Sequence, residues 1–470
     1  MKTVTEPTTT TTIAAAALDE ALDAEGSPRG AYARLFERYD AEALATEADR
    51  VRAELAAGRV SFGAGARPFV VDAVPRIVEA AEWEPLEGGL IQRVRALNAF
   101  LEDVYGERRI VAAGLVDEAL IESAEWFEPA MRDAEMPRVI AHVAGPDLVR
   151  GADGELRVLE DNLRAPSGIA YASAARAAVG PLAEACGLRI RPVEAGIDSL
   201  GRMLAAAAPA GEEDARVVLL SDGEGAGARY EHLELAATLG MEIAAAEDLD
   251  GDGEQLLLGG SPVDVVYRRV DDERLTAPDG SPTLLGELLG DPLRSGALAC
   301  VNSPGSGIAD DKAIHTHVEE MIGFYLDEEV RLRSVPGRWL GRPGEAETAL
   351  ERLAELVIKP RAEFGGVGVL IGPAASEAEL AAAGERIAAD PAAWVAQEPV
   401  ALSMHPTVVD GALESRHVDL RPFVITNPGN ERHEDEVTVV PGGLTRFARG
   451  AGSMVVNSGQ GGGAKDTWIL

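Results

Sequence analysis

Lysine is nearly absent from the 470-residue chain, which carries it at Lys2, Lys312, Lys359 and Lys465 while arginine occurs 39 times. A bias of that kind replaces lysine wherever a planar guanidinium will serve. The three internal lysines then mark places where a compact ammonium matters, the alternative being chance survival on a surface. Cysteine is limited to Cys186 and Cys300, with no Cys-x-x-Cys, which excludes a disulfide scaffold and a cysteine-rich metal site. Positive charge is outnumbered, with 43 basic against 79 acidic residues and a formal net charge of -36, so nucleic acid is excluded as the expected partner. An anionic ligand would need a local basic cluster in a repelling field. No apolar run reaches the length of a membrane span. The Thr- and Ala-rich N-terminal stretch lacks the charged and apolar regions of a signal peptide, so no membrane role and a cytoplasmic address are expected.

What is present is periodic. Apolar residues at three- and four-residue spacing predict helices from Tyr32 to about Gly106, as in LIQRVRALNAFLEDVYG. ARPFVVDAVPRIV (66–78) opens with an extended apolar run closed by proline, and residues 138–162 read as two strands about a GADGE turn. Near Arg216 the texture changes. RVVLLSDGEGAGARYEHLELAATLGMEIA reads as strand, glycine-rich loop, helix closed by Gly240 and strand, and VDVVYRR adds another strand. Its glycine spacing fits a dinucleotide site poorly, so the lobe reads as structural, with a nucleotide site as the alternative. Further on, AETALERLAELVIKP is a helix feeding a strand that ends at Lys359. EFGGVGVLIG is a glycine-bearing β-turn-β, and WVAQEPV and RHVDLRPFVI are strands.

Asp147, Glu160 and Asn162 form the sharpest constellation. Glu160 and Asn162 are two apart on one strand and share a face, and Asp147 can join them across the turn. Two carboxylates and an amide oxygen are hard ligands suited to Mg²⁺ on nucleotide phosphates, unless they are only a polar sheet edge. Asp161 should face the other way, so Asp161→Asn should be mild. LRAPSG follows at once: its Ser167–Gly168 turn offers backbone N–H groups, and Arg164 can grip an anion. Lys312, in GSGIADDK, starts a helix with caps available from Ser306 to Asp311. Lys359 ends a strand before the Gly365, Gly366 and Gly368 loop, which could close over phosphates or merely turn a hairpin. Gln397 and Glu398 end a strand that either faces adenine or is simply amphipathic. Arg421 lies on a strand with an apolar flank and calls for an anionic partner. VVNSGQGGGAKDTW adds Ser458 and Lys465 for phosphate or substrate contact. His315 and His317, two apart on a helix, are no metal pair, and His405 reads as structural.

Together, VLEDNLRAPSG, GIADDKAI, VIKP…GGVGV and VNSGQGGGAKDTW resemble the circularly permuted ATP-grasp type 2 family related to glutathionylspermidine synthase. The magnesium-type set comes first and the lysines follow, as if the chain had been cut and rejoined. The resemblance implies an α/β fold: a permuted ATP-grasp core with an additional Rossmann-like lobe and a helical N-terminal region. The expected division is a disordered tail at 1–25, helices plus the metal-binding part at 26–190, the Rossmann-like lobe at 191–300, and the lid with the rest of the core at 301–470. It also implies roles. Lys312 and Lys359 would hold ATP phosphates, with the 365–368 loop as a lid, and Glu398 and Val400 would line the adenine hinge. Arg421 would steady the transferred phosphoryl group, and Asp147, Glu160 and Asn162 would hold Mg²⁺. The activity implied is a ligase that activates a small-molecule or peptide carboxylate as an acyl phosphate and passes it to an amine or thiol. A nucleotide-binding scaffold or sensor and a small-molecule kinase are the alternatives.

Overall fold

The largest sheet is built from segments far apart in the chain. Its strands run in the order Val71–Val78, Gly463–Ile469, Leu444–Phe447, Ala412–Arg421, Asp147–Arg150 and Leu156–Glu160, with Met404–Val409 also paired to Ala412–Arg421. All neighbours are antiparallel except Gly463–Ile469 beside Val71–Val78. The computed structural model describes residues 17–470 apart from 64, 134–136, 138, 210–213, 363–366, 430–434, 455 and 457–461.

The run 66–78 does not close at its proline. The strand passes through Pro75 to Val78, and its register against Gly463–Ile469 shifts between Asp72 and Arg76. Pro75 has no N–H to donate, and an edge strand with a bulge is where the sheet tolerates that. The predicted helix that follows is Ala80–Tyr105, which buries Trp83, Leu86, Leu90, Val94, Leu97, Phe100 and Leu101 at three- and four-residue steps. Each such side chain stabilises the fold by roughly 1.5–3 kcal/mol. Of the expected tail, residues 1–16 lie outside the described residues, but 17–25 are docked. Ala21 is fully buried, and Glu20 pairs with Arg76 at 2.6 Å and with Arg150 at 3.1 Å. A buried ion pair of this kind fastens the segment to the central sheet, which is why the tail reading fails there.

The α/β lobe has four parallel strands in the order Ala299–Val301, Val265–Arg269, Val217–Ser221, Glu242–Ala244. Gly240, at φ 70°, ends the helix Arg229–Leu239 as expected. A separate antiparallel sheet (Gly337–Trp339, Trp394–Gln397, Val357–Pro360, Leu370–Ile371) carries the helices Glu345–Glu351 and Glu377–Ala389 on a small core of Leu353, Ile358, Ala383, Ile387 and Ala396. Ser376 and Glu379 form a capping box at the second helix. Among the described residues, no helix is long and apolar enough to cross a membrane.

Candidate active site

A cleft of about 540 Å³ runs between the central sheet, the small antiparallel sheet and the α/β lobe. Its lining includes Asp147, Glu160, Asn162, Arg164, Ser167, Gly168, Lys312, Lys359, Gln397, Glu398, Val400 and Arg421. Among these residues, Asp147 and Arg421, 274 positions apart, are thus brought together. Gly365, Gly366 and Ser458 lie outside the described residues. Gly368, at φ 70°, turns the chain where a Cβ would sit 2.8 Å from the Pro360 ring, and it is not among the lining residues.

The hairpin places Asp147 directly across from Glu160, and a register shift between Asp147 and Leu148 puts Leu159 in a bulge. Asn162 lies two residues beyond the strand end, where its Nδ2 donates to the Gly145 carbonyl at 3.1 Å. Among the described residues no cluster of three His, Cys, Asp or Glu side chains could hold a metal. Two carboxylates and one amide oxygen instead fit a hard cation that completes its shell with phosphate oxygens.

Arg421 closes on Asp147 through both fork nitrogens, Nε to Oδ1 at 2.6 Å and Nη2 to Oδ2 at 2.8 Å. Arg446 reaches the same carboxylate at 2.8 Å and also grips Asp419. Burial alone would raise the Asp147 carboxyl, but the Arg421 and Arg446 charges overturn that and hold it well below the usual range. Burial pushes the Asp419 carboxyl up, against the pull of Arg446. Asp419 and Arg446 were missed in the sequence. Asp419 is two residues before Arg421, so strand alternation could have found it, and Arg446 is its cross-strand partner.

Lys312 is the first residue of its helix, behind Asp311, whose carboxylate accepts from the Ala313 and Ile314 N–H groups at 2.8 and 3.4 Å. Arg361 holds that carboxylate at 2.7 Å. Lys359, expected to end its strand, lies one residue before the end of Val357–Pro360 and is buried. Burial draws its ammonium down to about 8, with Glu160 and Asp147 raising it and Lys312 lowering it. The Asp310 carboxyl is pushed up to about 7 by burial, against the Leu163 and Arg164 backbone N–H groups. Beyond the lysines the cleft turns apolar: Leu159, Val400, Leu402, Met454 and Val456 pack as one cluster and all line it. Gln397 closes the strand there, and Glu398 pairs with Arg352 at 3.1 Å.

Several expected contacts are differently used. The Gly168 N–H, in the turn expected to face an anion, donates to Glu231 at 2.8 Å, as does the Ala170 N–H at 3.0 Å. Glu231 in turn pairs with Arg269 at 2.9 Å, so the protein supplies its own anion to that turn. Arg164 lies over the Trp126 ring at 4.2 Å and donates to the Asp271 carbonyl. Lys465 is not brought to the cleft. It is fully buried in the central sheet, paired with Asp72 and donating to the Pro406 carbonyl at 2.9 Å. Asp161, expected to face away from the hairpin acids, lies one residue past the strand end and also lines the cleft, and it is no bland residue: both its oxygens accept from Arg93 at 2.7 Å, and His315 Nδ1 is also 2.7 Å away. His317 pairs separately with Glu320, and His405 meets the Tyr32 hydroxyl at 2.8 Å, as structural histidines.

Three comparisons bear on this arrangement. An uncharacterized protein of Mycobacterium tuberculosis (strain ATCC 25618 / H37Rv) is 41% identical over 98% of this chain and 85% of its own length. A Frankia alni protein provisionally named glutamate–cysteine ligase 2-3 is 42% identical over 97% of this chain, which spans 54% of that protein. The solved structure of a glutathione synthetase-like effector from Globodera pallida, in its apo form, superposes with a TM-score of 0.61 over 92% of this chain and 98% of its own, at 11% identity, and so shares the fold. With the profile of the circularly permuted ATP-grasp type 2 family matching residues 75–448, which hold the hairpin acids, both cleft lysines and Arg421, the chain belongs to that family.

Proposed function

We propose that the cleft is the active site of an ATP-dependent ligase that activates a carboxylate as an acyl phosphate and transfers the acyl group to an amine or thiol. The observation that carries this reading is the convergence of Lys312, Lys359 and Arg421 on the Asp147–Glu160 pair, beside an apolar end able to take adenine. Family membership and the provisional ligase name of the Frankia relative support it.

In this reading adenine lies among Val400, Leu402 and Met454, near Gln397 and Glu398. Lys312 and Lys359 bind the phosphates. Asp147, Glu160 and Asn162 would hold Mg²⁺, which supplies charge neutralisation on the phosphate oxygens. A substrate carboxylate oxygen attacks the γ-phosphorus, and the bond to the ADP oxygen breaks. The acceptor nitrogen or sulfur then attacks the acyl carbon, the carbon–oxygen bond to phosphate breaks, and the acceptor's proton leaves to solvent. Arg421 steadies the phosphoryl oxygens in the first step and the tetrahedral oxyanion in the second. The protein contributes positioning and charge, with no covalent nucleophile of its own.

The test is an ATP-consumption screen over amino acids, peptides and polyamines, repeated with hydroxylamine as a general acceptor. ADP release that requires a carboxylate, with a hydroxamate product, is the expected result. A phosphorylated product stable without an acceptor would favour a kinase, and ATP binding with no turnover would favour a scaffold.

A further inference from the structure

Aromatic residues make up 4% of the chain, yet four of them gather beside the cleft. Phe62, Phe69 and Tyr171 line it. The Tyr171 ring packs with Phe62 at 5.6 Å, with Phe69 at 4.8 Å and with Tyr230 at 5.4 Å. The Tyr171 hydroxyl donates to the Ser61 carbonyl at 2.9 Å, so its one polar atom is spent on the backbone. The buried charges behind Tyr171 are spent on each other: Glu231 is taken by Arg269 and by two N–H groups, and Arg269 also donates to the Pro166 carbonyl at 2.7 Å.

This wall is continuous with the reaction centre. Arg421 Nη1 lies 3.5 Å from the Ser167 carbonyl, and four residues later the same segment presents Tyr171. Gly168, between them, has no side chain, and a Cβ there would sit 2.5 Å from the Phe423 ring. The wall is also built into the fold. Phe62 stands on a two-stranded hairpin, Ser61–Phe62 with Arg67–Pro68, and Gly63 N donates at 2.8 Å to the Gly227 carbonyl of the α/β lobe. Phe62 and Phe69 precede residues 75–448, the span matched by the family profile, so these rings are not part of what that profile describes.

We infer that Phe62, Phe69 and Tyr171 form a specificity subsite for the side chain of the carboxylate substrate, and that this side chain is apolar and flat. The inference rests on the ligase reading, because Arg421 fixes where the carboxylate must lie. A carboxylate held at Arg421 points its side chain along Ser167 and Gly168 to the rings. Phe69 and Tyr171 are buried and hold the half-buried Phe62 in place, so a flat apolar group would meet mainly the Phe62 ring and lose water there, whereas a charged side chain would lose its hydration against the rings.

The test measures binding and turnover separately, with N-acetylphenylalanine, N-acetylglycine and N-acetylaspartate as probes and the full chain. Calorimetry with Mg²⁺ and a non-hydrolysable ATP analogue reads binding, and hydroxamate formation with ATP and hydroxylamine reads turnover. N-acetylphenylalanine is expected to bind at least about tenfold more tightly than N-acetylaspartate. Phe62→Ala is expected to abolish that preference, and Phe62→Tyr, which keeps the ring on a half-exposed residue, to retain it. Equal binding of the three probes, no binding by any, or a preference for N-acetylaspartate would overturn the subsite. Hydroxamate from N-acetylaspartate alone would sink the subsite and leave the ligase reading standing. A ring-dependent preference in binding without hydroxamate from any probe would do the reverse.

Discussion

Arg421 and Asp147 are locked together by two parallel hydrogen bonds of 2.6 and 2.8 Å. The residue proposed to steady the transferred phosphoryl group is therefore spent on a residue proposed to hold the metal. A cation at Asp147 and a phosphoryl group at Arg421 would each replace the other's partner. Asp147→Asn is expected to lower turnover at least about 100-fold, within the range for loss of one preorganised electrostatic contact. Arg421→Lys should fail similarly, because an ammonium cannot make the paired contact. Initial rates at saturating ATP check both, and near-normal rates for either would remove that residue from the mechanism.

Asp161 yields a prediction opposite to the mild effect expected from its orientation. It is buried against Arg93 and His315. Asp161→Asn would leave the Arg93 charge buried without a counter-ion, at a cost of about 3 kcal/mol. Urea unfolding should show a lowered midpoint with an unchanged slope.

Burial of Lys359 opposes stability. Its ammonium is drawn from 10.5 to about 8 by burial. Below about pH 8 both folded and unfolded chains carry this proton, and the folded chain bears the full cost of burying it, on the order of 3 kcal/mol. Between about pH 8 and 10.5 only the unfolded chain retains it, so this contribution raises stability as pH rises. Lys359→Met should accordingly melt higher than the parent at pH 7 while losing ATP binding. Lys359→Arg should bind ATP poorly despite keeping the charge. In the parent chain ATP affinity should fall as pH rises through about 8, which titration calorimetry across pH 7–9.5 would read.

Lys465 separates fold from function. Its partner Asp72 is buried in the same sheet. Lys465→Ala should destabilise by about 3–5 kcal/mol through the stranded carboxylate, with the KM for ATP unchanged in the folded fraction. A raised KM with unchanged stability would return Lys465 to the nucleotide site.

What the sequence disclosed follows a physical pattern. The hairpin acids, Lys359 near its strand's end, the helix-starting Lys312 and the Gly240 helix stop were legible because each depends on local periodicity or turn chemistry. Lys465 misled because its scarcity marks an unusual environment without saying which: a buried ion pair selects lysine as a phosphate site does. The Ser167–Gly168 turn misled because Glu231, 63 residues from Gly168, fills it. Arg446 and the Phe62–Phe69–Tyr171 wall were invisible because they are defined by sheet register and by packing across the chain.

The most direct test of the account follows oxygen. A carboxylate substrate identified in the hydroxylamine screen is labelled with ¹⁸O in its carboxyl group and incubated with ATP and an acceptor. If the carboxylate attacks the γ-phosphorus, one ¹⁸O atom appears in the released phosphate for each acyl group transferred. Released phosphate without ¹⁸O, with product still formed, would contradict the acyl-phosphate route.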